Sequence, residues 1–142
     1  MNKRELAYIK SEEVRFGPGW ALIESPQNKP RSKRMELKPG CLDLISAFLN
    51  YRAHMEMHKA KVQTLLFDGE IYELKILAQG LERIRGAWGE KTCIKTLIYL
   101  PKNNLFSDKE AIRVWLGNDK ERMPYRMEVD LRIGHLDLEY RP

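Results

Sequence analysis

One long periodic run, from Cys41 to Trp88, constrains the fold of this 142-residue chain more than any other feature. Its core residues recur at alternating steps of three and four, the spacing that places side chains on one face of an α-helix. These residues are Cys41, Leu44, Phe48, Tyr51, Met55, His58, Val62 and Leu65, then Leu74, Leu77, Leu81, Ile84 and Trp88. Because Asp68-Gly69 interrupts the run, the sequence predicts two helices folded back on each other. The second helix is predicted from Glu70 to about Arg85.

The same run keeps a heptad pattern for about three repeats, which also fits a coiled-coil dimer. Tyr51 and His58 occupy positions where Leu or Ile is usual, and the run stops at Asp68-Gly69. Packing within one chain therefore accounts for the pattern better. The sequence predicts a monomer.

Three other segments carry the patterns of β-strands. Val14 to Ile23 contains Gly17-Pro18-Gly19, a strong chain reversal, and predicts a hairpin. Thr92 to Leu100 is rich in β-branched and aromatic residues and predicts a central strand. From Tyr125 to Tyr140 apolar and charged residues alternate, with a change of phase at Gly134. That pattern predicts either a tight hairpin or one long bulged strand.

A short helix is predicted from Leu105 to Gly117, since Ser107 can cap it, Glu110 follows three residues later and Gly117 can end it. Together these elements predict a single α+β domain spanning residues 1–142. Its antiparallel sheet combines the N-terminal hairpin, the central strand and the C-terminal strands. The two-helix hairpin and the short helix cover that sheet.

The positive charge of the chain is concentrated in residues 26–38. This segment holds five basic residues and one acidic residue, a net charge of +4 out of the +5 of the whole chain. Residues 26–34 also contain two prolines and no other apolar residue, so the sequence predicts a mobile basic loop. One interpretation is a solvated linker. The other is an arm that contacts phosphates or an acidic partner, because clustered Lys and Arg bind by charge without fixed geometry.

The candidate binding residues follow from these charges. The first candidates are Lys29, Arg31, Lys33 and Arg34. Arg83 and Arg85 are more distant candidates, near the end of the second predicted helix. Their simpler interpretation is that they complement the negative end of the helix dipole.

A weak metal-binding pattern lies in the first predicted helix. His54 and His58 stand four residues apart, so both rings can share a metal, with His135 or a carboxylate completing the site. Glu56 does not follow His54 directly, so the His-Glu-x-x-His motif is not met. A partly buried histidine explains His58 equally well. Three acidic residues near the C-terminus could also bind a divalent ion, although a charged outer sheet face explains them more simply. They are Asp130, Asp137 and Glu139.

The cysteines and the N-terminal residues bear on the compartment. Cys41 and Cys93 have no metal-type spacing and are predicted to be small buried residues, although a disulfide between them is an open alternative. No apolar signal-peptide core follows the charges near Met1, and Leu97–Leu100 is far too short to span a membrane. A reduced, cytoplasmic location without membrane binding is the expectation.

No familiar catalytic motif occurs in the sequence: there is no Gly-x-x-x-x-Gly-Lys loop, no Gly-x-Ser-x-Gly elbow and no Cys-x-x-Cys. The sequence therefore predicts a regulator or adaptor without catalysis or cofactor. It is expected to dock by protein–protein contacts on a larger nucleic-acid machine such as a transcription complex, with the basic loop assisting. Its size also suits a regulator encoded by a virus or mobile element.

Two alternatives to the docking regulator stay open. The first is direct binding to DNA or RNA, although the predicted helices lack a basic face and no aromatic residues are interleaved with the arginines. The second is a small metal-dependent enzyme that uses His54, His58 and a carboxylate.

Overall fold

The computed structural model describes residues 12–25, 31–67, 69–101, 106 and 110–142, and for Arg31 the backbone alone. These described residues form nine β-strands and one α-helix. The chain divides into two compact units, Met1–Pro39 and Gly40–Pro142. Each unit contains an antiparallel sheet, so the predicted α+β fold with a two-helix hairpin is wrong and the protein is mostly β.

The first unit contains a three-stranded sheet in the order β1 (Glu13–Gly17), β2 (Trp20–Ser25) and β3 (Arg31–Glu36). The predicted N-terminal hairpin is confirmed, with Gly17 paired with Trp20. Gly19 adopts a φ of 71°, a conformation that glycine reaches without a steric penalty. The turn residues therefore determine this reversal locally.

The loop predicted over residues 26–38 is wrong for Arg31–Glu36, which form β3. Residues 26–30 lie outside the described residues. Every residue of β3 has a partner in β2, from Arg31 opposite Ser25 to Glu36 opposite Trp20. Pairing along an antiparallel ladder satisfies backbone groups whatever the side chains are, so a charged segment can become a strand when a neighbour is present.

The second unit contains a six-stranded antiparallel sheet and helix α1 (Leu44–His54). Its strands lie in chain order: β4 (Ala60–Phe67), β5 (Glu70–Gly86), β6 (Gly89–Tyr99), β7 (Ile112–Gly117), β8 (Pro124–Leu131) and β9 (Gly134–Glu139). The sheet therefore has β4 and β9 as its two edges. Ala47 and Tyr51 of α1 pack on one face of it, in a core that includes Leu74, Ile94 and Leu116.

The first predicted helix is confirmed only for the eleven residues of α1. Asp43 caps its start, and its carboxylate accepts a hydrogen bond from the Ser46 N–H at 2.9 Å. The helix ends at His54, because Met55 adopts extended backbone with a φ of −63° and a ψ of 144°. Among the described residues no helix has both the length and the apolar character needed to cross a membrane.

The second predicted helix is wrong, because Glu70–Gly86 is the 17-residue strand β5. Tyr72, Leu74, Ile76 and Ala78 contribute to the core beneath α1 at every second position. Ile84 belongs to a second buried cluster. A strand with apolar residues on both faces imitates helical spacing, and a register shift between Ala78 and Gly80 changes the phase further.

The predicted short helix is also wrong where the structure describes it, because Ile112–Gly117 is strand β7. The predicted cap, Ser107, lies outside the described residues. Strands β6 and β8 pair with β7 on its two sides, so both sets of its backbone groups have partners. Every second residue of β7, namely Ile112, Val114 and Leu116, faces the core that α1 covers. This two-residue alternation is typical of a strand, but the capping pattern of Ser107 and Glu110 favoured a helix in the sequence.

Two other strand predictions are confirmed. The central strand is β6, which lies between β5 and β7 in the sheet. The C-terminal segment forms the β8–β9 hairpin, in which Leu131 pairs with Gly134, rather than one bulged strand. Gly134 adopts a φ of 154° at that turn.

The second buried cluster surrounds Trp115, which packs with Ile84 and Cys93. The Trp115 indole donates a hydrogen bond from Nε1 to Glu82 at 3.3 Å. The ammonium of Lys95 lies 5.8 Å from the centre of the Trp115 ring. Both cysteines are free thiols; Cys93 is fully buried, and burial raises its pKa.

Candidate binding surface

The outer edge of β9, which pairs with no strand among the described residues, is the first component of the candidate site. Tyr140 donates its backbone N–H to the Tyr125 carbonyl at 2.9 Å, which continues the β8–β9 ladder. On the other side of β8, the Asp130 N–H bonds the Ala111 carbonyl at 2.8 Å. Because antiparallel ladders alternate, every second residue of β9 turns its N–H and C=O away from β8. These outward residues are His135, Asp137 and Glu139.

The second component is a set of exposed apolar side chains on one face of this hairpin. Leu136, opposite Val129, is 44% exposed, and Leu138, opposite Met127, is 49% exposed. Ile133, in the turn before β9, is 94% exposed. We refer to Ile133, Leu136 and Leu138 as the β9 apolar surface. An edge strand that presents adjacent apolar side chains to water has surface available to a partner.

The third component is a network of charged groups on the opposite face of the hairpin. The His135 ring nitrogens contact two carboxylates: Nδ1 contacts Asp130, and Nε2 lies 2.8 Å from Asp137. Asp130 also accepts a hydrogen bond from Arg113 at 3.0 Å. Hydrogen bonds to Asp130 and Asp137 raise the pKa of His135, and the bonds from His135 and Arg113 lower the pKa of Asp130. These four side chains therefore form one connected network on this face.

We expect His135 to titrate above its ordinary pKa of about 6.5, because both carboxylates favour the imidazolium. Since the pKa is raised in the folded state, the stabilisation by His135 is complete below about pH 6.5 and is lost as the pH rises through the raised value. An NMR titration of the His135 ring tests the first statement, and Asp137→Asn should lower the measured pKa.

The stability statement is tested by urea unfolding of wild type and His135→Gln at about pH 5.5 and about pH 9. The advantage of wild type should be larger at the acidic pH. An advantage that does not change with pH would contradict the network.

The basic residues predicted from the sequence do not form one surface in β3. Lys33 lies opposite Ile23 and Arg34 opposite Leu22, so the period of two places their side chains on opposite faces. The Arg34 guanidinium lies 4.7 Å from the centre of the Trp20 ring. Of the other two candidates, Lys29 lies outside the described residues and Arg31 is described only by its backbone.

Arg83 and Arg85 lie on strand β5, so the interpretation through a helix dipole is wrong. Both side chains form ion pairs with the same carboxylate, that of Glu90 on β6; the Arg85–Glu90 distance is 3.2 Å. Both arginine side chains are largely exposed. They share a face because they are two residues apart in a strand.

His54 and His58 do not lie on one helix, as the predicted metal site requires, because α1 ends at His54. The His54 Nδ1 lies 2.9 Å from the Asn50 carbonyl, whereas His58 follows in a turn with a φ of 60°. The two rings therefore do not share one helix face. In the described ranges, no group of three His, Cys, Asp or Glu residues is placed to hold a metal ion.

The sequence indicated parts of the candidate site without assembling them. The alternation from Tyr125 to Tyr140 predicted the strands and their wet face. For Asp130 and Asp137 the sequence allowed a metal site or, more simply, a charged outer sheet face, and the structure places them on one face with His135 between them. The position of β9 at the sheet edge depends on the pairing of six strands, for which a single segment carries no signal.

The described residues define a mostly β protein whose second unit is an antiparallel sheet with one helix packed on it. The chain belongs to the family DUF3108, described as a protein of unknown function, which matches residues 1–141. Comparison with curated proteins found no match, and neither did comparison with solved structures. The family description assigns no activity.

Proposed function

We propose that this protein is a non-catalytic regulator or adaptor that docks on a partner protein through the β9 apolar surface. The observation that supports this proposal is the exposure of Leu136 and Leu138 side by side on an edge strand, with Ile133 beyond them. Fully burying a leucine side chain contributes about 1.5–3 kcal/mol. Folding buries these side chains only in part. A partner that covers the remaining exposed surface would therefore gain further hydrophobic free energy on binding.

We further propose that the partner is part of a larger nucleic-acid machine, such as a transcription complex. The concentration of positive charge in residues 26–38 supports this, since basic residues can contact phosphates while another surface binds protein. Direct nucleic-acid binding is the weaker candidate, because Lys33 and Arg34 point to opposite faces of β3. The hypothesis of a metal-dependent enzyme is also weaker, because it rested on His54 and His58 sharing a helix face and α1 ends at His54.

The test is capture of partners from a lysate by the full chain, with and without nuclease, followed by titration of the purified partner. Changing Leu136 and Leu138 together to Ser should weaken binding by roughly 10- to 100-fold, or about 1.5–3 kcal/mol, since each leucine is about half exposed before binding. The folded state should persist, because neither leucine is buried.

The matched control changes Val62 and Ile71 to Ser, two exposed apolar residues of β4 and β5. This variant should bind the partner as wild type does. Equal binding by the Leu136/Leu138 variant, or equal loss in the control, would contradict the docking proposal. Recovery of nucleic acid alone, lost when Lys29, Arg31, Lys33 and Arg34 are changed to Ala, would replace it with direct nucleic-acid binding.

A further inference from the structure

We propose that the partner docks by adding an extended segment to the free edge of β9, and that this segment alternates apolar and basic side chains. This inference rests on the proposed function and specifies its binding mode and its partner chemistry. The added segment becomes a seventh strand of the sheet in the second unit.

The backbone of β9 provides the template for a seventh strand. The N–H and C=O groups of His135, Asp137 and Glu139 point away from β8 and have no backbone partner among the described residues. Three donors and three acceptors at every second residue match the spacing of a strand that pairs antiparallel. Strand addition at an exposed edge is an established way for a sheet to bind a peptide segment.

The opposite edge of the sheet differs from β9. Leu42 donates its N–H to the Thr64 carbonyl at 3.1 Å and accepts a hydrogen bond from the Leu66 N–H at 2.9 Å. Part of the outer edge of β4 is therefore closed by the chain itself. Of the two edges of this sheet, β9 is the one whose outward groups in the described residues are left open over three consecutive positions.

The side chains of β9 determine the chemistry of the added strand. On one face its side chains would lie beside Leu136 and Leu138, so apolar residues fit there. On the other face they would lie beside Asp137 and Glu139, both exposed, and beside the His135 network. Basic side chains fit that face, because opposite charges across neighbouring strands are favourable. The two faces together select a segment in which apolar and basic residues alternate.

A second copy of this chain is a poorer occupant of the same edge. Two β9 strands side by side would bring together two copies of Asp137 and two of Glu139, with His135 as the only residue on that face of β9 itself that can become positive. Like charges on neighbouring strands repel. A basic segment from another protein meets no such repulsion.

The experiment uses the full chain and the probe peptide acetyl-Lys-Val-Lys-Val-Lys-Val-amide. One control peptide has the same composition in blocks, Lys-Lys-Lys-Val-Val-Val, and another replaces each Lys by Glu. Amide hydrogen exchange read by NMR should show that the probe protects the N–H groups of His135, Asp137 and Glu139, while those of Leu136 and Leu138 change little. Both control peptides should bind at least about tenfold more weakly.

Two variants separate the backbone contribution from the charge. Asp137→Pro removes one outward N–H and no hydrogen bond within the sheet, whereas Asp137→Asn keeps the N–H and removes only the charge. Asp137→Pro should bind the probe about tenfold more weakly than Asp137→Asn, as expected for one lost hydrogen bond. The hydrogen-exchange result on wild type does not depend on whether the proline variant folds.

Strand addition is overturned if the probe binds without protecting the three amides, or if Asp137→Pro binds as tightly as Asp137→Asn. The charge assignment is overturned if the acidic peptide binds as well as the basic one. Protection of the three amides in the protein alone, together with a dimer by sedimentation, would assign the edge to a second copy. These results leave the proposed function standing as long as the Leu136/Leu138 variant loses its natural partner, so the two failures are distinguishable.

Discussion

Replacing Trp115 with alanine should lower the free energy of unfolding by about 3–5 kcal/mol, the usual cost of removing a large buried aromatic side chain. Trp115 is a buried residue of β7, where it packs with Ile84 and Cys93. The substitution leaves a cavity in this cluster and removes the ring beside Lys95. It also removes the indole N–H that Glu82 accepts.

Urea unfolding followed by far-ultraviolet circular dichroism measures this change. Trp115→Phe is the matched control, because it keeps most of the buried aromatic area and loses only the N–H and part of the ring. It should cost clearly less than the alanine variant. If Trp115→Ala stays within about 1 kcal/mol of wild type, the burial of Trp115 in this cluster is wrong.

The second prediction with a large effect distinguishes strand β5 from the helix that the sequence predicts for the same residues. Leu74 is 5% exposed and Leu81 is 57% exposed, although the helical stripe groups them together. Leu74→Ala should therefore cost about 2–5 kcal/mol, because it leaves a cavity beneath α1. Leu81→Ala should cost no more than about 0.5 kcal/mol, as for most surface substitutions.

The same urea titration compares the two leucine variants, which remove identical groups from one strand. Their difference is therefore independent of the chemistry of the substitution. Equal losses at Leu74 and Leu81 would support a helix with one buried stripe and would contradict β5. The comparison also tests the register shift between Ala78 and Gly80, since that shift changes which residues face the core.

The candidate site shows the same division between local and distant information. The alternation of apolar and charged residues in β8 and β9 predicts a strand pair with one apolar and one charged face, and the structure confirms both strands. The sequence alone does not show that β9 is an edge, that its apolar face is only half covered, or that His135 joins Asp130 and Asp137. Those features depend on which strands pair and in which register.

The local sequence determined the tight turn of the N-terminal hairpin and the strands that have one solvent-exposed face. Gly17-Pro18-Gly19 reverses the chain because of its own backbone preferences, and the β8–β9 hairpin alternates because water covers one of its faces. Tertiary structure decided the identity of β3, β5 and β7. Each of these segments is a strand because its backbone forms hydrogen bonds to neighbouring strands. In β5, apolar residues lie on both faces, so the two-residue alternation that usually identifies a strand in a sequence is absent.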